Sequence, residues 1–300
     1  MPTPRHYLHS GLAVASDLAL PEWDNFAGGG GGDVRIILSD AAMPGCSEAD
    51  GTIVDGDRIR FAIDGVGVWE ITGGHTIRIC PHVHAKEREL RLFTLGSAWG
   101  ALGYQRGLAM WHGSVVEKNG EAIMFCGETG MGKSTTAAAM LAQGWSLVSD
   151  DLSRVDADTD TKGPVVYPAS TRIKLWRDAI ERFGWDSLIL QRDHFRDDKF
   201  HLGAPDHHGG AGPLPLRAIF VLTEGKTLEI ERLEGHRAVT AVLAATVYRP
   251  EMLEALDGWV VQAHVAARIV ADTPVFALRR PRELATLDKL AKAVEDHLSG

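Results

Sequence analysis

Between residues 34 and 80 apolar and polar positions alternate in short bursts. VRIIL (Val34–Leu38), RIRFAI (Arg58–Ile63), VGVWEI (Val66–Ile71) and TIRIC (Thr76–Cys80) each have strand length, with Asp-Gly and Gly-Gly breakers around them. The pattern predicts antiparallel hairpins in a small β-rich amino-terminal domain, residues 1–85. After it the period lengthens. In AKERELRLFTLGSAWGALGYQRG, Leu92, Leu95, Trp99 and Leu102 recur at helical spacing, and Gly107 can supply the left-handed terminating residue. Gly96, Gly100 and Gly103 weaken this helix in isolation but let another backbone come close. Two apolar runs meet at Asn119-Gly120, a strong hairpin signal. GWSLVS, RAIFVL, the more alternating LEIERL and the short PVFAL follow as strands, with helical periodicity in MLEALDGWVVQAHVAARIV and PRELATLDKLAKAVEDHL. Residues 86–300 therefore read as a mixed α/β domain. The glycine run Gly28 to Asp33 reads as a flexible loop tip or short linker.

One junction between these elements carries chemistry. Gly127-Glu128-Thr129-Gly130-Met131-Gly132-Lys133-Ser134 matches G-x-x-x-x-G-K-[ST] at every fixed position, and Thr135 follows in the helix. An apolar strand, Ala122–Cys126, runs into it, and KSTTAAAMLAQ leaves as a helix with Gly144 at its end. Glycines let backbone N–H groups turn inward around oxyanions, Lys133 supplies a charge for the β and γ phosphates, and Ser134 offers a hydroxyl to Mg²⁺. The strand after the helix ends in Asp150-Asp151. A strand–helix–strand unit makes the two strands parallel, so both aspartates are expected beside the loop. An acidic turn is the plain alternative. One metal-binding carboxylate suffices for a hydrolase; a second suits deprotonation of a bound alcohol.

Bulk properties narrow the field. Acidity, with net charge −9, argues against nucleic acid as a partner. No apolar run approaches the roughly 20 residues of a membrane helix. The first residues, with Asp17 in a mildly apolar patch, are expected to be mature protein rather than a signal peptide. Cys46, Cys80 and Cys126 are too few and too widely spaced for a disulfide framework, and a reducing cytoplasm is the expected home. Cys126 reads as a buried filler.

WHGSVV, GETGMGKST and LVSDD together resemble the HPr kinase/phosphorylase family, whose nucleotide-binding core is shared with phosphoenolpyruvate carboxykinase. RGLAMWHGSVV through YPASTRIKLW is more similar to a branch of HPr-kinase-like serine kinases, some of which modify lasso-peptide precursors. Glu128 stands where the family usually carries Asp. The resemblance implies a P-loop-containing α/β core with the β-rich domain as an accessory. It implies an ATP- and Mg²⁺-dependent serine kinase acting on a seryl hydroxyl of a protein or peptide, and a homo-oligomer. Asp150 would be the base, Asp151 and Ser134 would hold Mg²⁺, Lys133 would bind the phosphates, and His112 would assist proton traffic or else be a packed core histidine. A nucleotide-hydrolysing switch without a phosphoacceptor is the alternative.

Weaker candidates remain. Arg172 and Lys174 share one side of a short β-like run, where they meet phosphate, an acidic peptide or only solvent. The polar stretch over residues 191–213 reads as a mobile flap that carries Lys199 towards a phosphate. Cys80, His82, His84 and the pair His207-His208 have metal-binding donor types but no second ligand pair at finger-like spacing. Trp111, Trp145 and Trp176 are expected in the core.

Overall fold

The structure, a computed structural model, describes residues 3–30, 32–41, 43, 51–157, 163–208 and 212–299. Cys46, Gly31 of the glycine run and residues 209–211 of the polar stretch lie outside the described residues. The fold is mixed α/β with several sheets. Two compact units divide the chain: residues 1–110 with 248–264, and residues 111–247 with 265–300. The first unit thus extends past the expected boundary at residue 85.

The first unit contains β1 (Arg5–His9), β2 (Leu12–Ser16), β3 (Val34–Leu38), β4 (Ile53–Asp55), β5 (Arg58–Ile63), β6 (Gly67–Thr72) and β7 (Thr76–Pro81). Among the described residues they form a seven-stranded sheet in the order β1-β2-β3-β7-β6-β5-β4. β4 to β7 are the expected antiparallel meander. β3, however, lies parallel to both β2 and β7, where the alternation suggested hairpins throughout. Period-2 patterning marks which face of a strand is buried and is silent about the direction of its neighbour. Trp69, Ile71, Ile77 and Ile79 supply the buried face.

The helical segment begins as α1 (Glu87–Phe93), widens into a π turn over Thr94–Ala98 and continues as α2 (Trp99–Gln105). Trp69 Nε1 donates to Thr94 Oγ1 at 2.9 Å, pinning the π turn to the sheet. Leu90, Phe93, Trp99 and Leu102 are buried, whereas Leu92 and Leu95 of the expected stripe are half-buried, and residues 86–110 belong with the first unit. Gly107 takes φ +67° and ends the helix as its sequence required. A Cβ on Gly103 would stand 2.1 Å from Met110 Cγ, so the close approach anticipated for these small residues is made by a side chain.

The second unit is built on a hairpin. β8 (Ala109–Lys118), whose first two residues belong to the first unit, runs antiparallel to β9 (Glu121–Cys126). Asn119 and Gly120 turn between them at φ +57° and +80°, the two left-handed positions a tight two-residue hairpin demands. There follow α3 (Lys133–Leu141), β10 (Ser146–Ser149), β11 (Leu152–Asp156), β12 (Val165–Val166), β13 (Arg172–Trp176), α4 (Arg177–Phe183), β14 (Ile189–Arg192), β15 (Lys199–Gly203), β16 (Leu214–Glu224), β17 (Glu229–Leu233) and α5 (Gly235–Thr246). α6 (Pro250–Ala255) and the first part of α7 (Trp259–Asp272) fall in the first unit, after which β18 (Val275–Arg280) and α8 (Leu287–Ser299) complete the second.

Its main sheet, eight-stranded among the described residues, has β9, β16 and β18 as a parallel centre. β9 and β10 are parallel in sense but not adjacent, because β8 lies between them, antiparallel to both. Cys126 faces Gly113 and Ser149 faces Val115 across β8, so the two strands still end at one edge. Phe220 stacks between Phe125 and Phe276 at centroid distances of 5.7 and 5.3 Å. Ala137, Ala138 and Met140 of α3 and Leu290, Ala291 and Val294 of α8 enclose the same core. This core sets the direction in which β9 delivers its carboxyl end.

β13, β15 and β14 form a smaller antiparallel sheet, with Lys174 opposite His201 and Trp176 opposite Lys199. β15 therefore occupies part of the stretch expected to be a mobile flap. Trp111 and Trp145 are buried as expected, whereas Trp176 is 44% exposed, so its apolar bulk is not core.

Candidate active site

β9 ends at Cys126, and residues 127–132 form the turn into α3. Gly127, Gly130 and Gly132 take φ of +147°, +90° and +80°, a region that side chains disfavour. At two of them space is also closed: a Cβ on Gly127 would stand 2.9 Å from the Leu222 carbonyl oxygen, and one on Gly132 would stand 2.1 Å from Arg280 Nη2. Glu128 and Thr129 are exposed at the tip, while Met131, Ser134 and Thr135 are half-buried. Lys133, 8% exposed, opens α3, and its Nζ donates to the carbonyls of Gly127 at 2.8 Å and Glu128 at 3.2 Å. Lys133 thus ties the start of the loop to the start of the helix, where backbone amides and the helix dipole favour anions.

Both aspartates lie beside it. Asp150 Oδ1 accepts from Ser114 Oγ at 2.6 Å and from Ser134 Oγ at 2.9 Å, and Oδ2 accepts from the Lys174 main-chain N–H at 3.0 Å. Asp151 adopts φ +76°, uncommon for a residue with a side chain, and its carboxylate pairs with Lys174 Nζ. The turn after β10 therefore sends the two acids different ways. Asp150 goes to the serine that follows Lys133; Asp151, with a 36% exposed side chain, goes to Lys174. Lys174 contacts both, one through its backbone and one through its ammonium.

The charges respond to this crowding. Burial, and then the neighbouring charge of Asp151, push the Asp150 carboxyl above its usual range, against the hydrogen bonds from Ser114, Lys174 and Ser134. Burial works upward on Asp151 too, but the Lys174 ion pair and hydrogen bond, with His112 and Lys199, hold it well below the usual range. Burial also lowers Lys133, with both aspartates opposing. His112, on β8, is driven down to about 4 by burial and by Lys133, Lys174 and Lys199, with Asp151 opposing. The expected site residues Lys133, Ser134, Asp150, Asp151 and His112 are thus within electrostatic reach of one another. Cys126, fully buried, has its thiol pushed up to about 12, which suits a filler rather than a nucleophile.

His112 should leave a mark on stability. Its folded value of about 4 lies below the ordinary 6.5, so between those limits the unfolded chain takes up a proton that the folded chain refuses. Stability is then full above pH 6.5, declines as pH falls towards about 4, and loses nothing more from this group below it. Urea unfolding at pH 7 and at pH 4.5 is expected to show a larger acid loss for the natural protein than for His112→Gln. Equal losses would remove His112 from the buried cationic setting.

Other residues of the site were not legible beforehand. Ser114 lies two positions after His112, hence on the same face of β8, and that period was the available signal. His201, opposite Lys174, is 3.3 Å from Asp193 through Nε2. Burial and then Lys174 lower His201, and its hydrogen bond with Asp193 works the other way. Lys174 itself, one of two basic candidates on β13, meets a carboxylate of the chain. Lys199 Nζ stands 5.9 Å from the Trp176 ring centroid. Among the described residues no three His, Cys, Asp or Glu side chains are grouped as a metal site, so Cys80, His82, His84, His207 and His208 do not assemble into one. No described helix is long and apolar enough to cross a membrane.

No protein-family model matches the chain. No curated protein matches it either. Among solved structures it is similar to the HPr(Ser) kinase/phosphatase from Coxiella burnetii, at 12% identity and TM-score 0.31, over 64% of this chain and 99% of that one. No residue role follows from a likeness at that level.

Proposed function

We propose that the second unit binds ATP through residues 127–135 and transfers the γ-phosphoryl group to a seryl hydroxyl of a protein or peptide, a lasso-peptide precursor being one such acceptor. The observation that carries this reading is the 2.9 Å hydrogen bond from Ser134 Oγ to Asp150 Oδ1. It brings the last residue of the glycine–lysine motif and the first of the aspartate pair to one point, though 16 residues separate them.

Ser134 and Asp150 present hard oxygen donors side by side, a donor set that fits Mg²⁺. Mg²⁺, when bound, supplies neutralisation of phosphate charge. The resemblance had given Asp151 that place and Asp150 the base; the hydrogen bonds favour the exchange of these roles. Asp150 is occupied by two hydroxyls and an N–H. Asp151 is the more open carboxylate; Lys174 holds its proton affinity low, so it can take a proton only as that ammonium turns from it to the phosphoryl oxygens. In the proposed step Asp151 accepts the seryl proton, the seryl oxygen forms the new P–O bond, and the bond from the γ phosphorus to the β–γ bridging oxygen breaks, releasing ADP. Lys133 and Lys174 offset charge on the phosphoryl oxygens, and neutral His112 lines the approach. Positioning and charge neutralisation do most of the catalysis in such transfers.

Incubation of the pure protein with γ-labelled ATP, Mg²⁺ and a panel of Ser-bearing peptides tests this. Label is expected on a peptide and on Ser within it. Label released only as free phosphate would favour the nucleotide-hydrolysing switch, and no turnover with retained ATP binding would favour a regulatory module.

A further inference from the structure

One buried cation at the loop has no part in the proposed reaction. Arg280 ends β18, next to β16, which in turn lies next to β9. It is 6% exposed. Nη2 donates to the Met131 carbonyl at 2.9 Å and Nη1 to the Pro281 carbonyl at 3.1 Å. Nε is buried and has no hydrogen-bond partner among the described residues. The charged neighbour that bears on it is Arg282, another cation.

This arrangement is unbalanced by itself. Two carbonyl dipoles do not compensate a guanidinium taken out of water, and buried arginines are ordinarily matched by an anion. The guanidinium also fills the space beside Gly132, where a Cβ would lie 2.1 Å from Nη2. It therefore grips the turn that joins Met131 to Lys133, whose amides and helix start favour anions.

We propose that Arg280 is a positioning residue for the anionic ligand of this loop: it fixes the Met131–Gly132 segment and adds its charge to the field that holds a triphosphate. The inference rests on the nucleotide reading above and adds a residue that no motif contains. The triphosphate completes the charge balance of Arg280 from across the loop. Arg280 consequently weakens the ligand-free fold slightly and strengthens the liganded one, a signature that an ordinary structural arginine lacks.

The test compares the natural protein with Arg280→Met and Arg280→Lys. Calorimetric titration with MgATP and, separately, with inorganic tripolyphosphate is run at two salt concentrations, and ligand-free thermal unfolding is recorded. Arg280→Met is expected to melt at the same temperature or higher without ligand. It should bind both probes at least tenfold more weakly, with a shallower salt dependence. Arg280→Lys, which keeps a charge but loses the planar fork, should lose severalfold in affinity.

Natural protein that binds both probes alongside an Arg280→Met variant that binds equally well sinks the role of Arg280 and spares the nucleotide reading. A loss confined to MgATP, with tripolyphosphate unaffected, overturns the proposal by removing the charge effect on the phosphates. If Arg280→Met melts lower, Arg280→Lys decides: unchanged affinity there makes the residue merely structural. Natural protein that binds neither probe ends the nucleotide reading and this inference with it.

Discussion

Asp151→Asn is expected to slow phosphoryl transfer by roughly 10²–10⁴-fold while leaving MgATP affinity within about threefold. The substitution keeps the shape of the side chain and removes its capacity to take a proton. It also releases Lys174 from its ion pair. Asp150→Asn should behave differently. Its new amide nitrogen must face either the Ser114 and Ser134 hydroxyls or the Lys174 N–H, all of which donate to Asp150 in the natural protein. The hydroxyls can rotate but the backbone N–H cannot, so the amide oxygen keeps the Lys174 N–H and the two hydroxyls turn to accept from the amide nitrogen. Their own protons lose the carboxylate acceptor, at a cost of about 1–3 kcal/mol. Mg²⁺-dependent ATP binding should fall in this variant together with stability. Single-turnover transfer and calorimetric titration on both variants separate the two roles. Transfer lost with binding intact in Asp150→Asn, and not in Asp151→Asn, would restore Asp150 as the base.

Phe220→Ala should destabilise the second unit by about 3–5 kcal/mol. Phe220 is fully buried and lies between Phe125 and Phe276, so its removal opens a cavity at the centre of the parallel strands. Neither neighbour can move far to fill it, since Phe125 is itself paired with Phe220 in register along β9 and β16. Domains are ordinarily stable by only about 5–15 kcal/mol, so this one change removes a large part. The loss should appear as a lower urea midpoint at unchanged slope. Folded molecules should still bind ATP, because β9 keeps its hydrogen bonds on both sides. A variant with normal stability would mean that the three rings do not form a shared core.

Much of the site was readable because short-range rules govern it. The Asn119-Gly120 turn follows from two residues that tolerate positive φ, and both adopt it. The glycine loop follows from a motif in which backbone freedom is the chemical requirement. Ser114 was hidden, although it occurs inside the WHGSVV segment, because nothing local says that a β8 hydroxyl will meet an acid 36 residues away. Trp176 misled for a related reason. Its size suggested burial, yet its place at the end of β13 leaves it 44% exposed.

By itself the sequence determined the hairpin, the loop and the helix that follows, since each depends on φ preferences and periodicity within about ten residues. It also determined that two carboxylates come after one helical crossover. Only the tertiary structure decided that β8 lies between β9 and β10, that β3 runs parallel to its neighbours, and that residues 86–110 join the first unit. It alone brought Lys174 to both aspartates and Arg280 to the back of the loop. The reason is physical: strand pairing and long-range ion pairs are set by which buried faces pack together, a many-body balance that no short stretch of chain encodes.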